Sequence, residues 1–301
     1  MNQWWWFSNL CPFLNVFDAE KISSEFGSDF TITTRLLSHC GFSKAANWLE
    51  NNLSHWLKYK AQIPKWLDHS SGGRFQITYW DSKNYPQALK NINHPPGILF
   101  SRGNLSVFEK PSIAVIGARN PTNLGRLWVQ AVIPKLTEVT IISGGARGID
   151  AEAHWASLNS NGKTVAFLPG GVETPYPQGN NLMFERILES QGALISEFPP
   201  ETIVRRENFH RRNRLIAGSA MFIVVVEASQ KSGTIMTAHH ALKEHVDVHV
   251  VPGPPMVTTY AGSLDLLFEG AYVVRDHQDI LNAIAKKNTL KNMVLSPTLG
   301  S

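Results

Sequence analysis

Cysteine is almost missing from this chain: Cys11 and Cys40 are the only two in 301 residues. Neither belongs to a CxxC pair or lies near a histidine cluster, which argues against a disulfide scaffold and against structural zinc. The two could pair, but two inert, buried or half-buried thiols are expected. Long apolar runs are missing too. No stretch reaches the roughly 18 apolar residues that a membrane helix needs, so no membrane partner is expected. The apolar N-terminus, MNQWWWFSNLCPFL, lacks the basic segment and small-residue cleavage site of a secretory signal. A soluble, cytoplasmic protein is the expectation. Two phosphate signatures are also absent. No GxxxxGK followed by Ser or Thr occurs, which disfavours a P-loop NTPase. No GxGxxG follows an apolar run, and one such run ends in Pro169-Gly170-Gly171 rather than in an acid for a ribose, which disfavours a nicotinamide cofactor. No cofactor and no metal are expected. There is no internal repeat and no low-complexity tract.

What is present is the composition of a folded globule, with 43% hydrophobic and 17% charged residues. The length leaves room for one large domain, or a medium one plus a small one. A net charge of +4 is mild. Its distribution is not, because Arg205, Arg206, Arg211, Arg212 and Arg214 fall close together and create a local positive field that the average conceals.

Residues 1–72 read as a small helical domain. From Thr33 to Asn52 two apolar-periodic stretches are broken at Gly41, which predicts a helix, a tight turn and a second helix. Trp48, Leu49, Leu53, Trp56 and Leu57 continue at three- and four-residue spacing, as one buried face would. Such a pair could touch DNA, but a packing role is expected. His69 to Arg74 (HSSGGR) is the best linker candidate, and residues 73–110 form a lead-in to the core. From Ser112 onward the pattern changes. Short β-branched runs at Ile113–Ile116, Thr140–Ile142, Val165–Leu168, Ala193–Ile195, Met221–Val226 and Val248–Val251 mostly alternate with helical stretches such as Leu124–Leu136, Ile149–Leu158 and Thr234–His245. Continuous apolar strands alternating with helices predict an α/β fold, a Rossmann-like, doubly wound, mostly parallel sheet over residues 111–286. Residues 287–301 read as a flexible tail.

In such a sheet ligands bind at the carboxyl ends of the strands, where loops enter helix N-termini. The first loop begins Gly117-Ala118-Arg119. The second is Ser143-Gly144-Gly145-Ala146-Arg147-Gly148-Ile149-Asp150, and the fifth carries Glu227-Ala228 and then Lys231-Ser232-Gly233-Thr234. Glycines let several backbone N–H groups approach one anion, and each helix start favours phosphate. One glycine loop alone can be a plain turn. Three on one predicted edge, each with a cation, point to phosphate binding. The segment from Phe209 to Gly218 adds Arg211, Arg212, Asn213 and Arg214, with guanidinium forks suited to phosphate oxygens. Arg119 and Arg212 are expected to face solvent. Phe209, Tyr176 and Phe184 could stack on bases or belong to the core.

These blocks, in this order, resemble the DprA/Smf (DNA-processing protein A) family over roughly 190 residues. The likeness rests on Gly117-Ala118-Arg119 with Thr122 and Gly125, and on Ser143 to Asp150 with His154. It continues through GGVETPYPQGN (Gly170 to Asn180), Ser196-Glu197, RRNRLIAG (Arg211 to Gly218), the Glu227 to Ala238 block and Pro252-Gly253, with Asp81 to Asn104 resembling the family's lead-in. The resemblance implies sequence-independent single-stranded DNA binding in natural transformation, assistance to RecA loading, homodimers and no catalytic residues. It assigns the DNA pocket to the matching glycine loops and arginine block. Asp150, His154 and Glu197 are expected to be structural, Asp150 capping the helix it precedes and His154 locking the loop. Departures are Leu264 where the family has Asn, and too few residues after Arg275 for the winged-helix module that many members carry. Two other readings compete. A nucleotide phosphoribohydrolase of the Lonely Guy type would need paired carboxylates beside the phosphate site, and that acid pattern does not recur here. A nucleotide-binding sensor would not need so many arginines.

Overall fold

The computed structural model describes residues 2–27 and 31–295. Four helices come first: α1 (Gln3–Leu10), α2 (Val16–Phe26), α3 (Thr34–His39) and α4 (Ser43–Ser71). Asn15 starts α2 with a capping box completed by Asp18, and the Thr33 hydroxyl caps α3. Gly41, at φ +85°, makes the tight turn between α3 and α4, a left-handed conformation that glycine takes without steric cost. Helix α4 bends at Asn52, whose φ/ψ is non-helical and whose amide donates to the Trp48 carbonyl at 2.9 Å. It then runs three residues, His69 to Ser71, into the segment read as a linker.

The lead-in holds structure that the sequence reading leaves unassigned. Strand β1 (Gln76–Tyr79), the short α5 (Gln87–Lys90) and β2 (Ile98–Gly103) precede the Rossmann-like alternation. That alternation runs β3 (Ser112–Ile116), α6 (Asn123–Val132), β4 (Thr140–Ser143), α7 (Ile149–Asn159), β5 (Thr164–Phe167), α8 (Asn181–Glu189), β6 (Ala193–Ser196), α9 (Arg206–Gly218), β7 (Phe222–Val225), α10 (Gly233–Lys243), β8 (Asp247–Val250), α11 (Ala261–Phe268), β9 (Tyr272–Val273) and α12 (His277–Leu295). The expected tail is therefore helical as far as Leu295, and residues 296–301 lie outside the described residues.

All nine strands form one sheet in the order β1-β2-β6-β5-β4-β3-β7-β8-β9. Pairings from β6 across to β9 are parallel, while β1–β2 and β2–β6 are antiparallel. The two-residue period of each strand feeds two separate cores. Ala114, Ile116, Ile223 and Val225 point to one, with Leu215 and Ile216 of α9 and Ala238 and Ala241 of α10. Ile113, Val115, Phe222 and Val224 point to the other, with Val129 of α6, Ile149 and Ala153 of α7, and Ile280 and Ile284 of α12. Both strand faces are covered, which is why these runs are apolar at every position rather than at alternate ones. The expected doubly wound architecture is what the chain adopts.

The N-terminal helices pack on the β2 edge of this sheet. Trp4, Trp6 and Phe7 are fully buried in one cluster with Trp56 and Trp66 of α4, Phe100 of β2, and Met183 and Phe184 of α8. Trp6 stacks on Trp66 with ring centroids 5.8 Å apart. The three consecutive tryptophans thus join the helical region to the sheet. Both cysteines are free, and burial pushes the Cys11 thiol up to about 11. No helix among the described residues is long and apolar enough to cross a membrane.

Candidate nucleic-acid interface

Strand β3 pairs with β4 on one side and β7 on the other, so the chain reverses its direction of travel across the sheet at β3. The loops leaving β3 and β7 diverge there and open a crevice. A cleft of about 890 Å³ occupies that place, lined by Gly117, Arg119 and Asn120 after β3, by Lys231, Ser232, Gly233 and Thr234 after β7, and by Arg205, Arg206, Phe209, His210, Arg212 and Asn213 at the start of α9. Of the sequence-predicted site residues, Gly117, Arg119, Ala146, Arg212, Asn213, Lys231, Ser232, Gly233 and Thr234 come together at this cleft.

Local chemistry explains the two loops nearest its floor. The Thr234 hydroxyl donates to the Gly117 carbonyl at 2.9 Å and ties them to each other. The Ser232 hydroxyl caps α10 by accepting from the Ile235 amide. Gly233 has open space where a Cβ would stand, so its backbone is accessible to a ligand. Lys231 adopts φ +54°, and its exposed side chain stands at the rim. Glu227 is fully buried and turns away from the cleft, accepting from the Thr122 amide at 3.0 Å and from the Thr122 hydroxyl at 2.8 Å.

The loop after β4 is closed inward. Ser143 is buried and donates its hydroxyl to the Val115 carbonyl at 2.6 Å. The amides of Gly144 and Ala146 donate to Asp150 Oδ2 at 3.2 and 3.4 Å, and the Gly145 carbonyl accepts from the Asn180 amide at 2.9 Å. Ser143, Gly144 and Gly145, expected to cradle an external phosphate, are therefore engaged within the protein, the Gly144 amide by its own carboxylate. Asp150 is not the cap expected of it: it sits inside α7, whose N-cap is Gly148, and serves the preceding loop. Arg147 is exposed at a small adjoining pocket of about 40 Å³, which it shares with Arg119, Tyr176 and Phe209.

The arginine block divides. Arg211 and Arg214 leave the cleft and converge on Glu197, Arg211 at 3.1 Å and Arg214 closer, while the Glu197 side chain is only 1% exposed. Arg211 also donates to the Asn9 carbonyl of α1 at 2.8 Å and lies over the Phe198 ring, and Arg214 donates to the His94 carbonyl. Burial works against ionised Glu197, but Arg214 and Arg211 outweigh it and hold the carboxyl below its usual range. These two arginines join the N-terminal helices and the lead-in to α9 instead of meeting a ligand at the cleft.

Arg212 reaches the cleft but is not the solvent-facing side chain expected. It is 5% exposed, with Nη1 donating to the Phe167 carbonyl at 2.7 Å and to the Gly144 carbonyl, and Nε donating to Asn213 Oδ1 at 3.0 Å. No carboxylate among the described residues lies within ion-pair distance of it. Burial lowers its pKa to about 10, against the pull of Asp150. The same burial raises Asp150 above its ordinary value. It also drives His154 down to about 3. His154 Nδ1 donates to Thr164 Oγ1 at 2.6 Å, because that hydroxyl spends its own proton on the Ile141 carbonyl; His154 thus braces β5 rather than the loop.

Residues that the sequence reading noted without placing at the site complete it. Arg205, Arg206 and His210 line the cleft, and Arg206, Phe209, His210 and Asn213 share one face of α9 at helical spacing. Drawing the arginine cluster as a helix separates that face from Arg211, which is the signal that could have found it. Phe209 and Tyr176 meet edge to face at 6.2 Å, and Arg119 lies over Phe209 at 5.4 Å. Phe184 is core, buried beneath Gly145. A His69, Glu173 and Glu201 group has metal-like spacing, but it lies outside the cleft and its carboxylates are paired with Arg74 at 2.6 Å and Lys65 at 2.8 Å.

Residues 76–285 match the profile of a family described as DNA recombination-mediator protein A. The DNA processing protein DprA of Bacillus subtilis (strain 168) is 34% identical over 210 residues, which are 69% of this chain and 70% of that protein. Protein Smf of Synechocystis sp. is 37% identical over 210 residues, 68% of this chain and 52% of that protein, so the match spans about half of its length. The X-ray structure of DNA processing protein A from Streptococcus pneumoniae is similar with a TM-score of 0.76 and 27% identity, covering 93% of this chain and 96% of that one. DNA processing protein A from Helicobacter pylori, described for its single-stranded DNA binding mode, is similar with a TM-score of 0.63 and 27% identity, covering 71% and 97%.

Proposed function

This chain belongs to the DNA recombination-mediator protein A family, and on that premise we propose that it holds single-stranded DNA in the cleft between the β3 and β7 loops, without sequence preference and without covalent chemistry. One observation carries the reading. Arg119, Arg205, Arg206 and Lys231 line a single cleft, and among the described residues none of them has a carboxylate partner. Exposed cations gathered without acids attract a polyanion, and their phosphate contacts carry no sequence code. Phe209 and Tyr176 offer ring surfaces beside them for bases. Asp150, the carboxylate in the cleft's lining, is engaged with the backbone amides of Gly144 and Ala146, and Glu227 with that of Thr122. This supports a binding role over general acid–base chemistry. The family likeness extends the proposal to a cytoplasmic homodimer that assists RecA loading, which co-sedimentation with RecA on single-stranded DNA would test.

Gel shift with mixed-sequence oligonucleotides across a salt series tests the main reading. Affinity is expected to fall steeply with salt and to vary little among sequences. A weak salt response, or about a tenfold preference for one sequence, would overturn it. The cleft's size also suits one small ligand, so a nucleotide sensor is the second reading. A nucleoside monophosphate that binds well and competes fully with the oligonucleotide would favour it, and release of free base from that nucleotide would instead mark a phosphoribohydrolase.

A further inference from the structure

Helices α9 and α10 lie side by side on one face of the sheet, and both start at the cleft. Successive ridges run away from it. On α9, Arg206 and His210 line the cleft one turn apart, and Arg214, whose charge is met by Glu197, follows one turn further. On α10, Met236 lines the cleft, and His240 and Lys243 follow at positions i+4 and i+7. At the far end the segment after α5 closes the groove: the Asn93 amide donates to Glu244 Oε2 at 2.8 Å, and Arg214 donates to the His94 carbonyl. Lys90 of α5 stands there 5.7 Å from the centre of the Trp80 ring and 6.0 Å from that of Tyr85.

We propose that the groove between α9 and α10 is a second phosphate track, carrying a single strand out of the cleft toward Lys90. The proposal rests on the DNA-binding reading of the cleft and adds residues outside its lining. Its length from Arg206 to Arg214 is about 12 Å, by the helical rise per residue. Among the described residues Lys90, Arg206 and Lys243 have no carboxylate partner. Burial, and then the nearby Lys243, His210 and Arg214, hold the His240 imidazole below its ordinary range, as expected where cations crowd. Glu244 opposes them, but one of its oxygens is occupied by Asn93. The unpaired Arg206, Lys243 and Lys90, continuous with a polyanion site, have the make-up of a surface for single-stranded nucleic acid.

The test compares oligonucleotide lengths. Fluorescence anisotropy with labelled oligothymidylates of about 5 and about 20 nucleotides is measured for the full chain, for Lys243→Gln, and for Lys90→Gln with Lys243→Gln. Thermal melting of each variant verifies the fold. For the long strand each lost phosphate contact is expected to weaken binding roughly fivefold near 0.1 M salt and to reduce the salt slope by about 0.7. The short strand, seated in the cleft, is expected to bind all three proteins alike. Undiminished binding of the long strand by the double variant, or equal losses at both lengths, overturns the track. Failure of the cleft reading shows separately, as indifference of the short strand to Arg119→Ala.

Discussion

The two sides of α9 make opposite use of one residue type. On the side toward the N-terminal helices, Arg211 and Arg214 close on the buried Glu197, and the result is a joint between α1, the lead-in and the sheet. On the cleft side, Arg205 and Arg206 meet no acid, and their charge stays directed at solvent. A guanidinium with a buried carboxylate partner stabilises the fold. One left unpaired at a crevice is available to a ligand. Which of these an arginine does is set by its place along and around the helix, and so by whether Glu197 is within reach.

The sharpest way to break this contrast is at Glu197. Glu197→Gln leaves Arg211 and Arg214 without their counter-charge and is expected to cost about 3 kcal/mol, the lower end for a broken buried pair because Arg211 keeps solvent contact. Urea denaturation measures it, and single-stranded DNA affinity of the folded fraction should not change. A normal midpoint would mean that the joint is not made by charge. The closed and open loops differ next. In Gly144→Ala the new Cβ would collide with the Arg212 guanidinium, and about 2 kcal/mol of overpacking is expected. Gly233→Ala meets nothing within 4 Å and should stay within about 0.5 kcal/mol. Equal denaturation midpoints for the two variants would contradict the difference drawn between the loops.

Smaller effects separate the arginines directly. Arg206→Ala is expected to weaken oligonucleotide binding roughly fivefold near 0.1 M salt with an unaltered melting temperature. Arg211→Ala should lower stability by about 1 kcal/mol and leave affinity within about twofold. The reverse pattern in paired gel-shift and melting measurements would invert the assignment. The last test has its effect only in acid. His154 titrates near 6.5 when unfolded but is held near 3 in the fold. The unfolded chain therefore binds the extra proton between those values, and stability falls as pH drops below about 6.5. In His154→Gln that part of the slope should vanish from urea midpoints measured over the same range. Parallel curves for the two proteins would mean that the folded imidazole accepts its proton normally.

Much of the fold was legible because burial on both faces of a parallel strand demands an unbroken apolar run. Ile113–Ile116 and Met221–Val226 announce β3 and β7 without help from distant residues. Gly41 marks its turn because a left-handed backbone favours glycine. The edge formed by β1 and β2 was not legible, since Gln76–Tyr79 is short and mixed and becomes a strand only by pairing with Ile98–Ser101. The loops after β3 and β7 could be read as ligand-facing from their glycines and cations. Ser143 to Gly145 looked the same but face inward, because Asp150, a few residues later in the chain, folds back onto the amides of Gly144 and Ala146.

The amino-acid order by itself determined the alternation of elements, the covered sheet and the presence of a phosphate-seeking edge, since these depend on local periodicity and on the charge each residue carries. The tertiary structure alone decided the strand order, the burial of Arg212, and which arginines are used by Glu197 and which remain for a ligand. Those outcomes depend on pairings between segments far apart in sequence, such as Arg214 with Glu197 or Gly144 with Arg212. No local pattern encodes a partner that only folding brings into reach.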